Sequence, residues 1–345
     1  MMIKKIDVLS VLFAGILATG CQSGPDVKLE KIDIYSVPQL PITEESLTDL
    51  PDLLAPPLYL LNDTLLCLSN PQDASSIRIF RTLSKEMEQY TLKKKDTSIV
   101  ISPDSRLTAR LDYLNRANNV YYELAVNNGQ MSIANFIRLR LGDFSPSNAF
   151  KIEDKQFVCL GPFTQGLLSV YNSDKQRKEM TFFGNYPVIG PEYRYKEYLD
   201  YFQGHLSRYG SQFVYASTYF GYISSYTYKN EQLVKQWEKQ TSEFLFHKTP
   251  SRIEFDSLHH QGFGCIAIGK EHIYAFSQYL SENQQKENGI LVFSRDGKLV
   301  SYLKIKNPMV FLTVDSREEN LYSVSYDLKE ERLYISRHNL PVSPE

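Results

Sequence analysis

An aromatic-rich chain with strand-length apolar runs, grouped in units that recur about every 50 residues, predicts an all-β fold: a six-bladed β-propeller of four-stranded antiparallel blades. Three observations carry this. The 24 tyrosines and 19 phenylalanines against one tryptophan favour strands over helices. The apolar runs are about five to seven residues long and are bounded by polar turns. The grouping itself repeats, and such repetition signals a stack of similar sheets.

The units are read directly. QFVCLG from Gln156 is followed by GLLSVYN from Gly166 and KEMTFFG ending at Gly184. QFVYAS from Gln212 precedes YISSYTY and LVKQWEK, which ends at Lys239. HIYAFSQ from His272 leads to ILVFSRD and GKLVSYLKI, and LYSVSYD from Leu321 leads to RLYISRHNL. Two fainter copies come earlier: LLCLSN at Leu65 with SSIRIFR, and VYYELAV at Val120 with MSIANFIRL. Each is read as strand, connection, strand, tight turn, strand. Upstream runs such as FLTVD from Phe311 and RIEFD from Arg252 supply a fourth strand. Asp296-Gly297 is expected as a two-residue reversal, because Asp-Gly tolerates positive φ.

A lone blade has two apolar faces and can hide neither, whereas a ring of blades covers both and leaves no long open edge. The last unit has room for only three strands. The alternating segment LEKIDIYSV, Leu29 to Val37, is therefore expected to close the ring as the outer strand of the final blade.

The N-terminus carries an address. Lys4 and Lys5 precede an apolar run from Val8 to about Thr19, within the range of a secretory signal and too short to span a bilayer. It ends Leu17-Ala18-Thr19-Gly20-Cys21, small residues directly before a thiol that can accept a diacylglyceryl group. The segment resembles the bacterial lipobox, with Ala18 where leucine is usual. That resemblance implies a signal peptide over residues 1–20 and a lipid-attachment site at Cys21; the polar composition that follows reads as a tether over 21–28, and the repeated units as a single propeller domain over 29–345. Gln22 after the cysteine, by resemblance to Gram-negative sorting rules, points to the outer membrane.

The formal net charge of −2 gives no reason to expect nucleic acid as a partner. Cys67, Cys159 and Cys265 each sit in an apolar run with no metal-type spacing and are read as core. His259-His260 would point to opposite faces of a strand and is read as an exposed loop pair; the other four histidines are isolated. Asp256 and Asp315 end apolar runs where an acidic residue could hold calcium over a central channel, although aspartate also ends strands by bonding local amides. GFGC around Gly262 is read as a strand-entry turn, and no nucleophile elbow, P-loop or dinucleotide pattern occurs. No catalytic residue or cofactor is therefore expected.

The richest polar-aromatic stretch is PEYRYKEYLDYFQGH, with Tyr193, Tyr195, Tyr198 and Tyr201. It is too polar for a core strand and reads as a connection lying over one face of the ring. Such a position suits a binding surface. The plainer alternative, which is preferred, is that these rings pack the connection onto the blades.

The lipobox, the FFGNYP segment from Phe182 to Pro187, and the order YAFSQYL, ILVFSRDGKLV, VFLTVD, LYSVS between Ile273 and Leu340 together resemble the TolB-like six-bladed propeller lipoproteins of gut-dwelling Gram-negative bacteria. The resemblance implies fold and compartment but no activity. The reading it leaves is a monomeric, lipid-anchored envelope protein that binds or scaffolds a protein or glycan. The rival is a propeller hydrolase or lyase of the lactonase kind with a central calcium.

Overall fold

The structure is a computed structural model. It describes residues 27–50, 58–61, 63–69, 76–91, 99–101, 110–115, 120–127, 130–139, 146–173, 180–186, 200–249, 253–257, 259–280 and 286–341. Cys21 and the signal segment lie outside these residues.

Three short strands begin the described chain: β1 (Glu30–Lys31), β2 (Gln39–Pro41) and β3 (Glu44–Leu50). Consecutive antiparallel meanders follow. The first is β4 (Leu58–Leu61), β5 (Leu65–Ser69), β6 (Ser76–Arg81) and β7 (Met87–Thr91). Next come β8 (Ile99–Ile101), β9 (Arg110–Asn115), β10 (Val120–Asn127) and β11 (Gln130–Arg138). The third is β12 (Asn148–Glu153), β13 (Gln156–Leu160), β14 (Leu168–Asn172) and β15 (Met180–Phe183). The fourth is β16 (Gly204–Tyr209), β17 (Gln212–Ser217), β18 (Tyr222–Lys229) and β19 (Gln232–Gln240). A small hairpin, β20 (Phe246–Lys248) and β21 (Ile253–Phe255), interrupts the series. Then come β22 (Phe263–Ile268), β23 (His272–Leu280), β24 (Lys286–Ser294) and β25 (Leu299–Ile305). Last are β26 (Met309–Val314), β27 (Asn320–Asp327) and β28 (Arg332–Asn339).

The fold is an all-β propeller. Its apolar clusters lie between neighbouring sheets, as mutual shielding requires. Val214, Ile223 and Trp237 of one sheet meet Ile266, Ile273 and Phe293 of the next. Tyr322, Val324 and Ile335 meet Leu60, Leu66 and Phe80, joining the end of the chain to its beginning. Cys67, Cys159 and Cys265 are free and buried, and burial pushes each thiol up.

The ring is closed from the N-terminus, but not by Leu29–Val37. β3 is the strand that pairs antiparallel with β28, with Glu44 opposite His338 and Leu50 opposite Leu333. Complementarity selects it. Glu45 pairs with Arg337, Asp49 pairs with Arg332, and Leu50 is only 5 % exposed against β4. The Leu29–Val37 segment instead straps two other sheets. Glu30–Lys31 lies parallel to the end of β19, and the Asp33 carboxylate accepts from Tyr35 N–H to start a short 3₁₀ turn. That turn buries Ile34 beside Trp237, after which β2 runs parallel to β25. One 24-residue stretch, 27–50, thus crosses the outer edges of three successive sheets.

Three further expectations shift. VYYELAV and MSIANFIRL are the third and fourth strands of their sheet rather than the second and third. RIEFD supplies β21 of the separate β20–β21 hairpin rather than a blade strand; the inner strand beside β23 is FGCIAI, which begins inside the expected GFGC turn and continues through the apolar run of Cys265. The Arg295–Gly297 loop has three residues, with Ser294 and Lys298 closing it and Gly297 at φ 89°, a Gly-ended bulge loop rather than a two-residue reversal. Asn230-Glu231, between β18 and β19, is a two-residue reversal with both residues at positive φ.

Candidate functional site

The strands of each meander alternate in direction, so among the described residues the turns after first and third strands fall on one face of the ring, and the loops after second strands and the connections between sheets on the other. The two faces differ in chemistry.

The turn face is held by polar clasps between neighbouring sheets. Arg295, on the β24–β25 loop, donates to Gln212, to the carbonyls of Gly269 and Lys270, and to Tyr209, whose ring lies 4.7 Å beneath the guanidinium. Ser316 donates to Asp63 across the boundary between the β26–β28 sheet and the β4–β7 sheet. These contacts use the charges for packing the ring.

The connection face is aromatic. Phe163 comes from the β13–β14 loop, Tyr186 follows β15, and Tyr201 and Phe202 sit in a 3₁₀ turn before β16. Tyr219 and Phe220 come from the β17–β18 loop, while Phe244, Phe246, Phe255 and His259 come from the β19–β22 connection. Phe220 is the hub, within 5.0–5.9 Å of Phe202, Phe244, Phe246, Phe255 and His259. Tyr219 stacks on Phe255 at 5.9 Å and 9°, and Tyr201 meets both edge-on at 5.7 and 5.8 Å.

Hydrogen bonds fix the connections beneath these rings. Tyr186 donates to the Phe163 carbonyl at 2.6 Å and Tyr215 donates to the Phe202 carbonyl at 2.7 Å. His259 accepts from Leu245 N–H on Nδ1 and donates from Nε2 to the Tyr219 carbonyl at 2.7 Å, which sets its tautomer. Gly262 N–H donates to the Thr218 carbonyl; a side chain there would meet the Ser217 carbonyl at 2.1 Å. The platform is therefore preorganised. Phe202 and Phe220 are buried, Tyr201 and Phe255 half-buried, and Tyr219 is 40 % exposed.

Of the four tyrosines expected over the ring, Tyr201 belongs to this face and packs into it. Tyr193, Tyr195 and Tyr198 lie outside the described residues. Sequence reasoning missed Phe244, Phe246 and Phe255, whose signal was an apolar run that resembled a blade strand.

The other expected sites do not converge. Asp315 follows β26 on the turn face, where it accepts from Glu319 N–H and Asn320, both at 2.8 Å. Asp256 lies in the β19–β22 connection on the opposite face. Both nitrogens of His259 are engaged. Burial lowers the pKa of His260, as does His259 beside it. His205 is pushed down to about 4 by burial, and His272 is bound to Glu318. Among the described residues no group of three or more His, Cys, Asp or Glu is placed to hold a metal ion. None of the helices there is long and apolar enough to cross a membrane.

No protein-family profile matches the chain, and no curated protein sequence matches it. Solved structures do. A candidate exported protein of Bacteroides fragilis aligns over 90 % of this chain and 100 % of its own, with a TM-score of 0.53 at 11 % identity. A luciferin-regenerating enzyme aligns over 87 % and 95 %, with a TM-score of 0.51 at 10 % identity. The calcium-binding protein regucalcin of Agrobacterium tumefaciens aligns over 89 % and 98 %, with a TM-score of 0.50 at 10 % identity. At these identities the likeness is one of fold, and the fold it shows is the β-propeller.

Proposed function

We propose that this chain is a non-enzymatic binding or scaffold propeller of the cell envelope, engaging a protein or glycan through its aromatic connection face. The observation that carries the reading is the contiguous set Tyr201, Tyr219 and Phe255, held from beneath by backbone hydrogen bonds with the Tyr219 ring open to solvent. Flat rings with polar tips suit sugars and peptide backbones and lose little entropy when a partner covers them.

The proposed ring has six blades over residues 29–345, as in TolB-like lipoproteins. Supporting this count, four sheets have four strands, and two have five because β1 or β2 is added to a four-stranded meander. The proposed setting is a monomer tethered by lipid on Cys21, behind a signal peptide over 1–20 and a linker over 21–28, at the outer membrane. The residues before Cys21 support that reading, and the exported neighbour is consistent with it.

The test uses the mature protein, wild type and Tyr219→Ala/Tyr201→Ala, against a glycan array and envelope fractions. Specific binding lost in the double variant, with an unchanged melting curve, supports the reading. Identical binding by both proteins removes it. Stoichiometric calcium in the purified protein, with lactone hydrolysis, would favour the lactonase-like alternative instead. Radiolabelled palmitate incorporation that disappears in Cys21→Ala tests the anchor.

A further inference from the structure

A second concavity, sharing no residue with the aromatic cluster, lies at the rim of the ring between β25 and the β28–β3 pair, where β3 closes the ring. It has a volume of about 380 Å³, at the small end of the range of ligand pockets.

Its wall departs from the pattern of the other boundaries. The face of the β26–β28 sheet towards β4 is apolar, with Tyr322, Val324, Leu333 and Ile335. The opposite face carries Ser323, Ser325, Ser336 and His338, all completely buried. The three hydroxyls form a closed triangle, at 2.7, 2.6 and 2.9 Å. His338 Nε2 lies 3.1 Å from Ser323 Oγ and 3.0 Å from Ser336 Oγ. The remaining ring nitrogen, Nδ1, is buried without a partner in the protein, on a residue that backs the cleft lining. Burial keeps the ring neutral, with its pKa pushed down to about 4.

The neighbouring groups repeat this polarity. Tyr334 donates to one oxygen of Glu44 and accepts from Asn307 Nδ2 at 2.7 Å. That leaves the second Glu44 oxygen and the Asn307 carbonyl as acceptors on the cleft lining. Ile42 and Ile305 supply an aliphatic strip. Lys306 and Arg332 balance Glu44 and Asp327 around the opening, so the lining selects for no net charge. Several acceptors, an aliphatic strip and no charge preference match an uncharged molecule that is rich in hydroxyl donors.

We infer that the β25–β28 cleft is a binding site for a small neutral saccharide, recognised by acceptors on Glu44 and Asn307. The site is independent of the aromatic face. It exists only when β3 is in place, so an occupant would also stabilise ring closure.

The test is saturation-transfer NMR on the mature protein with millimolar glucose, galactose, mannose and N-acetylglucosamine, alongside melting curves. At least one sugar should give a transfer signal and raise Tm. The signal should fall at least about tenfold in Asn307→Ala, a connection residue whose loss should leave the fold intact. Tyr334→Phe, which releases both Glu44 and Asn307, provides a second variant should the first fail to fold. Tyr219→Ala should retain the signal. No signal from any of the four sugars overturns the assignment, as does a signal undiminished in both cleft variants. A signal lost only in Tyr219→Ala overturns it in favour of the aromatic face and leaves the proposed function standing.

Discussion

The Glu318 carboxylate receives the His272 imidazole at 2.7 Å, across a boundary between two sheets. Glu318 sits at positive φ in the β26–β27 turn, and His272 opens β23. The same carboxylate accepts from the backbone N–H groups of Glu271 and His272 and from the Tyr274 hydroxyl at 2.9 Å. One side chain thus satisfies four donors of the neighbouring sheet.

Burial by itself would raise the Glu318 pKa. The donors from Glu271, His272 and Tyr274 outweigh it and hold the carboxyl below its ordinary value of 4.5. Because the folded pKa is depressed, the stabilisation is complete above the unfolded value and is lost as pH falls through the folded one. Wild type should therefore lose stability below about pH 4.5, and Glu318→Gln should flatten that acid limb while costing about 1–3 kcal/mol at neutral pH. Urea melts at pH 7 and pH 4 measure both. An unchanged acid slope in the variant would count against the clasp.

The hairpin loops offer a paired test. Gly210 and Gly297 both have positive φ, but a methyl at Gly210 meets nothing within 4 Å, whereas at Gly297 it lies 2.5 Å from the Trp237 ring. Gly210→Ala should cost about 1–2 kcal/mol from backbone strain alone. Gly297→Ala should cost at least about twice that, and should change the emission of Trp237, the chain's one tryptophan. Equal losses would mean that the indole does not pack on the loop.

Ring closure is tested by two leucines. Leu50 ends β3 and is buried at the seam, while Leu29 is 37 % exposed ahead of β1. Leu50→Asp should destabilise by about 4 kcal/mol or more, from lost burial and an unpaired charge. Leu29→Asp should stay within about 0.5 kcal/mol. The reverse order, read by chemical denaturation, would restore Leu29–Val37 as the closing strand.

Most strands were legible because their information is local. In LYSVSYD and RLYISRHNL the apolar alternation and the intervening charged turn mark β27 and β28 without any distant partner. Frame was harder. VYYELAV looks the same as a second strand or a third, since position within a sheet depends on the neighbours a strand acquires. The aromatic face was half legible. The tyrosine-rich connection announced itself, whereas Phe246 and Phe255 lie in apolar runs that would also suit a blade.

By itself, the sequence determined that this chain builds repeated small sheets, which survive only by covering one another. The tertiary structure alone decided which N-terminal segment closes the ring, because Leu29–Val37 and Glu44–Leu50 both have strand-like patterns. The choice rests on pairing Glu45 with Arg337 and Asp49 with Arg332, nearly the whole chain apart. It also decided that Ser323, Ser325, Ser336 and His338 meet: alternation puts them on one side of β27 and β28, but only the antiparallel register brings their polar atoms within hydrogen-bonding distance.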